Sequence, residues 1–152
     1  MTAAGANRYV KAVLWDMDGT LMNSQPIWDE SFRRRCQERG GTVTPEQVAG
    51  IAGASIARTR ELIAETGATE SPEDPATAEV FARIAADVGE AVRADPPILP
   101  GARRITSMLS EIGLAQVIVT QSPRPIVESV AHALGDVFVE LVTGDDGLPG
   151  KP

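Results

Sequence analysis

Lys11-Ala12-Val13-Leu14-Trp15-Asp16-Met17-Asp18-Gly19-Thr20 is the stretch on which the reading of this chain turns. Residues 11–16 form a short apolar run, the mark of a buried strand, and Gly19 stops it. A strand this apolar expects neighbours on both sides and cover on both faces. Asp16 and Asp18 place two carboxylates two residues apart at its mouth, where like charges repel in a low dielectric. A divalent metal is the obvious compensation. Hard oxygen ligands suit Mg²⁺, which takes one or two carboxylates and leaves positions for phosphate. A carboxylate can also attack phosphorus, and a second one can serve as general acid and then base. An acidic turn closing a strand is the plainer alternative, because Asp and Gly are common turn residues. Such a turn, however, needs no fixed pattern.

Working outward, Trp28, Phe32 and Cys36 recur at helical spacing, which predicts a helix over 26–39 ended by Gly40-Gly41. Thr44-Pro45-Glu46-Gln47 has the form of a capping box with proline at the first helical position. Residues 56–64 read as a further helix. Asp74-Pro75 starts the longest helical pattern, with Val80, Phe81, Ile84, Val88 and Val92 on one face, and Asp95-Pro96-Pro97 stops it. Ile105, Met108, Leu109 and Ile112 then mark an amphipathic helix ended by Gly113. Residues 115–120 and 137–142 read as two more strands, with a helix between them that Ser122-Pro123 is expected to cap. Strand, helical block and then helix–strand–helix–strand is the alternation of a parallel α/β sheet. The expected fold is a Rossmann-like α/β core, residues 1–24 and 97–152, with an inserted helical cap over 25–96.

The 152 residues carry a formal net charge of −7, which argues against a nucleic-acid partner or an anionic membrane surface. It does not argue against a small anionic substrate, since local cations and a metal can override global charge. Cys36 is the single cysteine, so no intrachain disulfide is possible and a reducing, cytoplasmic location fits. No signal-peptide or membrane-length apolar run is present. The pattern does not bear on oligomeric state. Cys36 continues an apolar stripe and is expected in the core. His132 is expected at the surface, and Arg33-Arg34-Arg35 on the solvated side of a cap helix.

Three segments in order resemble the haloacid dehalogenase (HAD) superfamily, and more narrowly its phosphoglucomutase-like branch with a helical cap. They are Trp15 to Pro26 around Asp16-Met17-Asp18-Gly19-Thr20, Val117 to Pro125 around Thr120-Gln121-Ser122, and Thr143 to Pro152 with Lys151. The resemblance implies that Asp16 is a nucleophile and a metal ligand. Asp18 would be the general acid/base, with its backbone carbonyl on the metal. The hydroxyl of Thr120 and the N–H of Gln121 would hold the transferring phosphoryl group, and Lys151 would neutralise it. These are the tasks phosphoryl transfer demands. The helix after Ser122-Pro123 is expected to aim free N–H groups at the phosphate.

The implied activity is Mg²⁺-dependent hydrolysis of a small phosphate monoester through an aspartyl-phosphate. Asp18 favours this over dehalogenation. A sugar-phosphate mutase is the alternative on the same site. Mutases of the branch tend to carry His and Arg where Trp28 and Ile56 stand here, so hydrolysis is preferred. The family's fourth motif, an acidic pair after the third-motif lysine, does not occur before Pro152. A non-catalytic phosphate-binding or interaction module is therefore the alternative of another class. On the same ground, residues 1–152 alone are expected to leave strand 11–16 as a sheet edge and to hold Mg²⁺ weakly.

Overall fold

In the computed structural model, residues 10–147 are described, and within them the apolar run folds as β1 (Ala12–Trp15). β1 pairs in parallel with β2 (Ala115–Val119), and β2 pairs in parallel with β3 (Glu140–Val142), in the order β1-β2-β3. The fold is α/β. Between β1 and β2 run α1 (Gln25–Gln37), α2 (Pro45–Gly50), α3 (Ile56–Glu65), α4 (Pro75–Ala94) and α5 (Ala102–Glu111). A single helix, α6 (Arg124–Ala133), connects β2 to β3. α5 and α6 pack on one face of the sheet, α5 through Ala102 and Thr106 and α6 through Ile126, Val127 and Val130.

That face is closed by Trp15, Gln116 and Ile118. Gln116 is fully buried, and both of its side-chain polar atoms are hydrogen-bonded: its amide oxygen accepts from Trp15 Nε1 at 3.0 Å, and its Nε2 donates to Thr106 O at 2.8 Å. One polar side chain thus ties β1, β2 and α5 together, and its burial carries no unsatisfied group. Trp15 and Ile118 pack with Ile126, Val127 and Val130 of α6 and with Val88 and Val92 of α4. On the opposite face Leu14 is 70% exposed. Among the described residues β1 has one neighbour, so its outer edge is an edge of the sheet.

The chain leaves the sheet region at Met22 and returns at Ile98, and the two passages lie side by side. Asn23 N–H donates to Pro97 O at 2.8 Å, and Leu99 N–H to Leu21 O at 2.9 Å. Helices α1 to α4 build a second core from Phe32, Cys36, Val48, Leu62, Ile63, Val80 and Ile84. The Thr44 capping box forms at α2 and Ser55 caps α3, so local signals set these starts. Trp28 packs against both cores. α4 serves both as well, with Val80 and Ile84 in one and Val88 and Val92 in the other. The helical block is therefore not packed separately from the sheet.

Three expectations need correction. β3 is three residues long, because Gly135 and Asp136 both leave α6 with positive φ (93° and 53°) and Val137 to Val139 are spent turning back toward β2. The apolar stripe of α5 faces outward, with Ile112 at 71% exposure and Ile105 and Met108 about half exposed. Arg34 and Arg35 are not simply solvated. Both pair with Asp87 of α4 at 2.7 Å, and Ser31 Oγ donates to the same carboxylate at 2.6 Å. Hydrogen bonds from Arg35 lead in holding the Asp87 carboxyl well below the usual carboxylate range. Burial pushes the Cys36 thiol up, and His132 lies at the surface beside Asp136.

Candidate active site

Gly19, at φ +79°, turns the chain sharply after Asp18. Met17, Leu21 and Met22 on the same turn are fully buried and anchor it in the core. Asp16 remains exposed at the strand mouth, where Thr20 Oγ1 donates to its Oδ2 at 3.1 Å. Asp18 is held from three sides. Ser24 Oγ donates to Oδ1, while Thr120 Oγ1 and Ser122 Oγ donate to Oδ2 at 3.1 and 2.7 Å.

The two serines explain how the sequence builds this. Ser24 is the N-cap residue of α1, where a serine ordinarily caps a helix, and Ser122 lies one residue ahead of Pro123, the N-cap residue of α6. Neither does so: α1 and α6 have no side-chain cap at those ends. Both hydroxyls go to Asp18 instead, which fastens two helix starts to one carboxylate. The expected Ser122-Pro123 cap is corrected accordingly. The expectation of free N–H groups at the start of α6 fails too. Pro123 and Pro125 have no N–H, and Arg124 N–H donates to Asp145 Oδ2 at 2.6 Å. A carboxylate already occupies that favourable site.

Asp146 accepts from Arg124 Nη2 at 2.7 Å and from Thr143 N–H at 2.7 Å, so both acids of this loop tie it to α6. Gly144 lets the loop close on β2: a Cβ there would stand 2.1 Å from Gln121 O and 3.3 Å from Ile56 Cδ1. Ile56, at the start of α3, thus meets the loop that follows β3, and the helical block reaches the core across the site.

Between them lies a cavity of about 340 Å³. Asp16, Asp18, Thr120, Gln121 and Ser122 line its core side, and Trp28, Ile51, Ile56 and Phe81 its cap side. The structure therefore brings four of the five expected site residues to one cavity, and Lys151 lies outside the described residues. Ser24, Ser122 and Gly144 were missed, because Ser before a helix reads as a cap and Gly in a polar loop reads as a turn. Phe81 was read as one of α4's apolar face, yet it is only partly buried and turns to the cavity. Among the described residues, no three His, Cys, Asp or Glu gather into a metal cage. No described helix is long and apolar enough to cross a membrane.

The chain is 28% identical over 158 aligned residues to hexitol phosphatase B of Escherichia coli (strain K12), covering 95% of this chain and 65% of that protein. It is 26% identical over 142 residues to a phosphoglycolate phosphatase of Rhodobacter capsulatus, covering 92% and 64%. The chain thus spans about 65% of the length of the first of these curated relatives. In fold it is similar to a β-phosphoglucomutase of Clostridium difficile, with TM-score 0.77 at 15% identity over 94% of this chain and 66% of that one. It is also similar to CbbY of Rhodobacter sphaeroides in complex with phosphate, with TM-score 0.73 at 19% identity over 94% and 67%. A family model described as haloacid dehalogenase-like hydrolase matches residues 10–152. By that match over nearly its whole length, the chain belongs to the haloacid dehalogenase-like hydrolases.

Proposed function

We propose that the protein is a phosphatase that hydrolyses a small phosphate monoester through an aspartyl-phosphate on Asp16. The observation that carries this is the meeting of Asp16, Asp18, Thr120 and Gln121 at one cavity walled by the helical block. Relatives named as phosphatases of a hexitol and of phosphoglycolate support a small phosphate ester as the substrate class.

Asp16 is the exposed carboxylate at the cavity, and it attacks phosphorus. The P–O bond to the leaving group breaks and the departing oxygen takes a proton, for which Asp18 is the donor. Water then attacks phosphorus, Asp18 takes its proton, and the P–O bond to Asp16 breaks. Inorganic phosphate leaves and Asp16 is restored. Ser24, Thr120 and Ser122 fix the orientation of Asp18. The Thr120 hydroxyl, on turning from Asp18 to the substrate, and Gln121 N–H bind the phosphoryl oxygens, and Lys151 adds a positive charge. The paired passages at Met22 and Ile98 are where the helical block would bend to close over the cavity and exclude water, a motion that must also shift Trp28 and α4, which pack into both cores.

Two hard-oxygen carboxylates line this cavity, and no cation is among its described lining residues. That donor set fits Mg²⁺, which binds through one or two carboxylates and keeps waters. Asp16 would hold it through its carboxylate. Asp18 would do so through its backbone carbonyl, its side-chain oxygens being engaged by hydroxyls. When bound, the ion neutralises charge among the carboxylates and the phosphate.

The test is to stop full-length protein during turnover of a ³²P-labelled ester and map the label. It is expected on Asp16, and Asp16→Asn should lower kcat by roughly 10⁶-fold, the scale seen for a lost nucleophile. Label on another residue, or full activity in Asp16→Asn, would overturn the reading.

A further inference from the structure

The cap side of the cavity differs in chemistry from its core side. Trp28, Ile51, Ile56 and Phe81 make a mostly apolar, partly aromatic wall, whose only polar side chains among the described residues are the uncharged Gln25 and Thr59, while the core side carries Asp16 and Asp18. Among the described lining residues there is no Arg, Lys or His. Four arginines away from the cavity are ion-paired: Arg58 with Glu61 and Glu65 at 2.8 Å, Arg34 and Arg35 with Asp87, and Arg124 with Asp146. Arg60 of α3 is not among the lining residues.

We infer that the site selects phosphate monoesters whose leaving group is uncharged and presents an apolar face, and rejects those that carry a second anionic group. This rests on the phosphatase reading above. The transferring phosphoryl group belongs at the core side, beside Asp16, Thr120 and Gln121. The leaving group then points at the cap wall. An anion placed there would lose water without gaining a cation, which is strongly unfavourable, and it would share the cavity with two carboxylates. A neutral ring or chain gains by covering Trp28 and Phe81 and displacing water from Ile56. Ile56 stands where α3 meets Gly144, so it is the side chain best placed to set the sign of this preference.

The experiment compares kcat/KM of the full-length protein with Mg²⁺ for benzyl phosphate and 4-carboxybenzyl phosphate, which differ by one carboxylate. Benzyl phosphate should be preferred by about 100-fold or more, since an apolar pocket rejects even an added hydroxyl by about 100-fold and a carboxylate loses more water than a hydroxyl. Ile56→Arg should shrink that ratio about tenfold by supplying the missing cation. The wild-type ratio decides alone if that variant fails to fold. Equal or faster turnover of the carboxylated ester overturns the inference and leaves the phosphatase reading standing. If Arg60→Ala then removes that turnover, the cation was Arg60 swinging in from α3. Release of phosphate from neither ester overturns both readings together.

Discussion

The helical block and the sheet bury their apolar residues very differently. In the block, Phe32, Cys36, Ile63 and Ile84 are fully buried, and the Thr44 and Ser55 caps finish its helices locally. The sheet is covered on one face and open on the other. Leu14 on that face is 70% exposed, and Ile112 just after α5 and Val139 before β3 are about as exposed. Helices close a core through nearby stripes of side chains, whereas a sheet face stays open until another layer covers it. The contrast teaches where the chemistry resides. Both regions have a fully buried core, Met17, Ile118, Val127 and Val130 on the sheet side; what differs is the open face of the sheet, at whose mouth the proposed chemistry sits.

The sharpest way to break this contrast is to remove the same bulk from both regions. Ile84→Ala should destabilise the protein by about 3 kcal/mol, since a filled core site collapses only partly. Denaturant unfolding measures it, and a change below ~1 kcal/mol would mean that the block's core is loose. Next in size is Gly144→Ala, at about 2 kcal/mol, because its Cβ would be driven into Gln121 O. It should also lower phosphatase activity, through displacement of Gln121, while Gly147→Ala, with nothing near its Cβ, should act through backbone strain alone. Equal activity in the two variants would separate the loop from the site.

Asp87→Asn loosens the tie between α1 and α4. Arg34 is half exposed and Arg35 a quarter, so solvent screening limits the loss to ~1 kcal/mol, a fall of about 4 °C in Tm. The folded-state pKa of Asp87 is lowered, with Arg35 the largest cause. Its contribution is therefore fully present above the ordinary carboxyl value of about 4 and is lost as pH falls below it toward the folded value. The Tm gap between wild type and variant should be constant near neutrality and shrink below about pH 4. A gap that widens in acid would contradict this assignment. The smallest effect is expected from Leu14→Ala, below ~0.5 kcal/mol on an exposed face. A loss as large as that of Ile84→Ala would show that this face is covered in the protein measured, and the contrast between regions would disappear.

Much of the architecture was legible along the chain because its cues are local. Residues 11–16, the Thr44-Pro45-Glu46-Gln47 box, Asp74-Pro75 and the stripe Val80–Ile84–Val88–Val92 each act within a few residues, and each corresponds to an observed element. The third strand was overdrawn because Val137-Phe138-Val139 is β-prone in composition, and the positive φ at Asp136 is not visible in it. Arg33-Arg34-Arg35 read as solvated because Asp87, its partner, is more than fifty residues away.

At the site, the sequence by itself determined the pair Asp16 and Asp18 and the family, since a fixed spacing on one strand end needs no distant partner. Tertiary structure alone decided that Ser24 and Ser122 give their hydroxyls to Asp18 rather than to helix caps. It also decided that Asp145 occupies the start of α6, and that Trp28, Ile56 and Phe81 form a wall without charge. The physical reason is common to all of these. A serine's hydroxyl, an aspartate's carboxylate and an aromatic face each have several good local uses, and the choice among them depends on which groups the fold brings within about 3 Å of them.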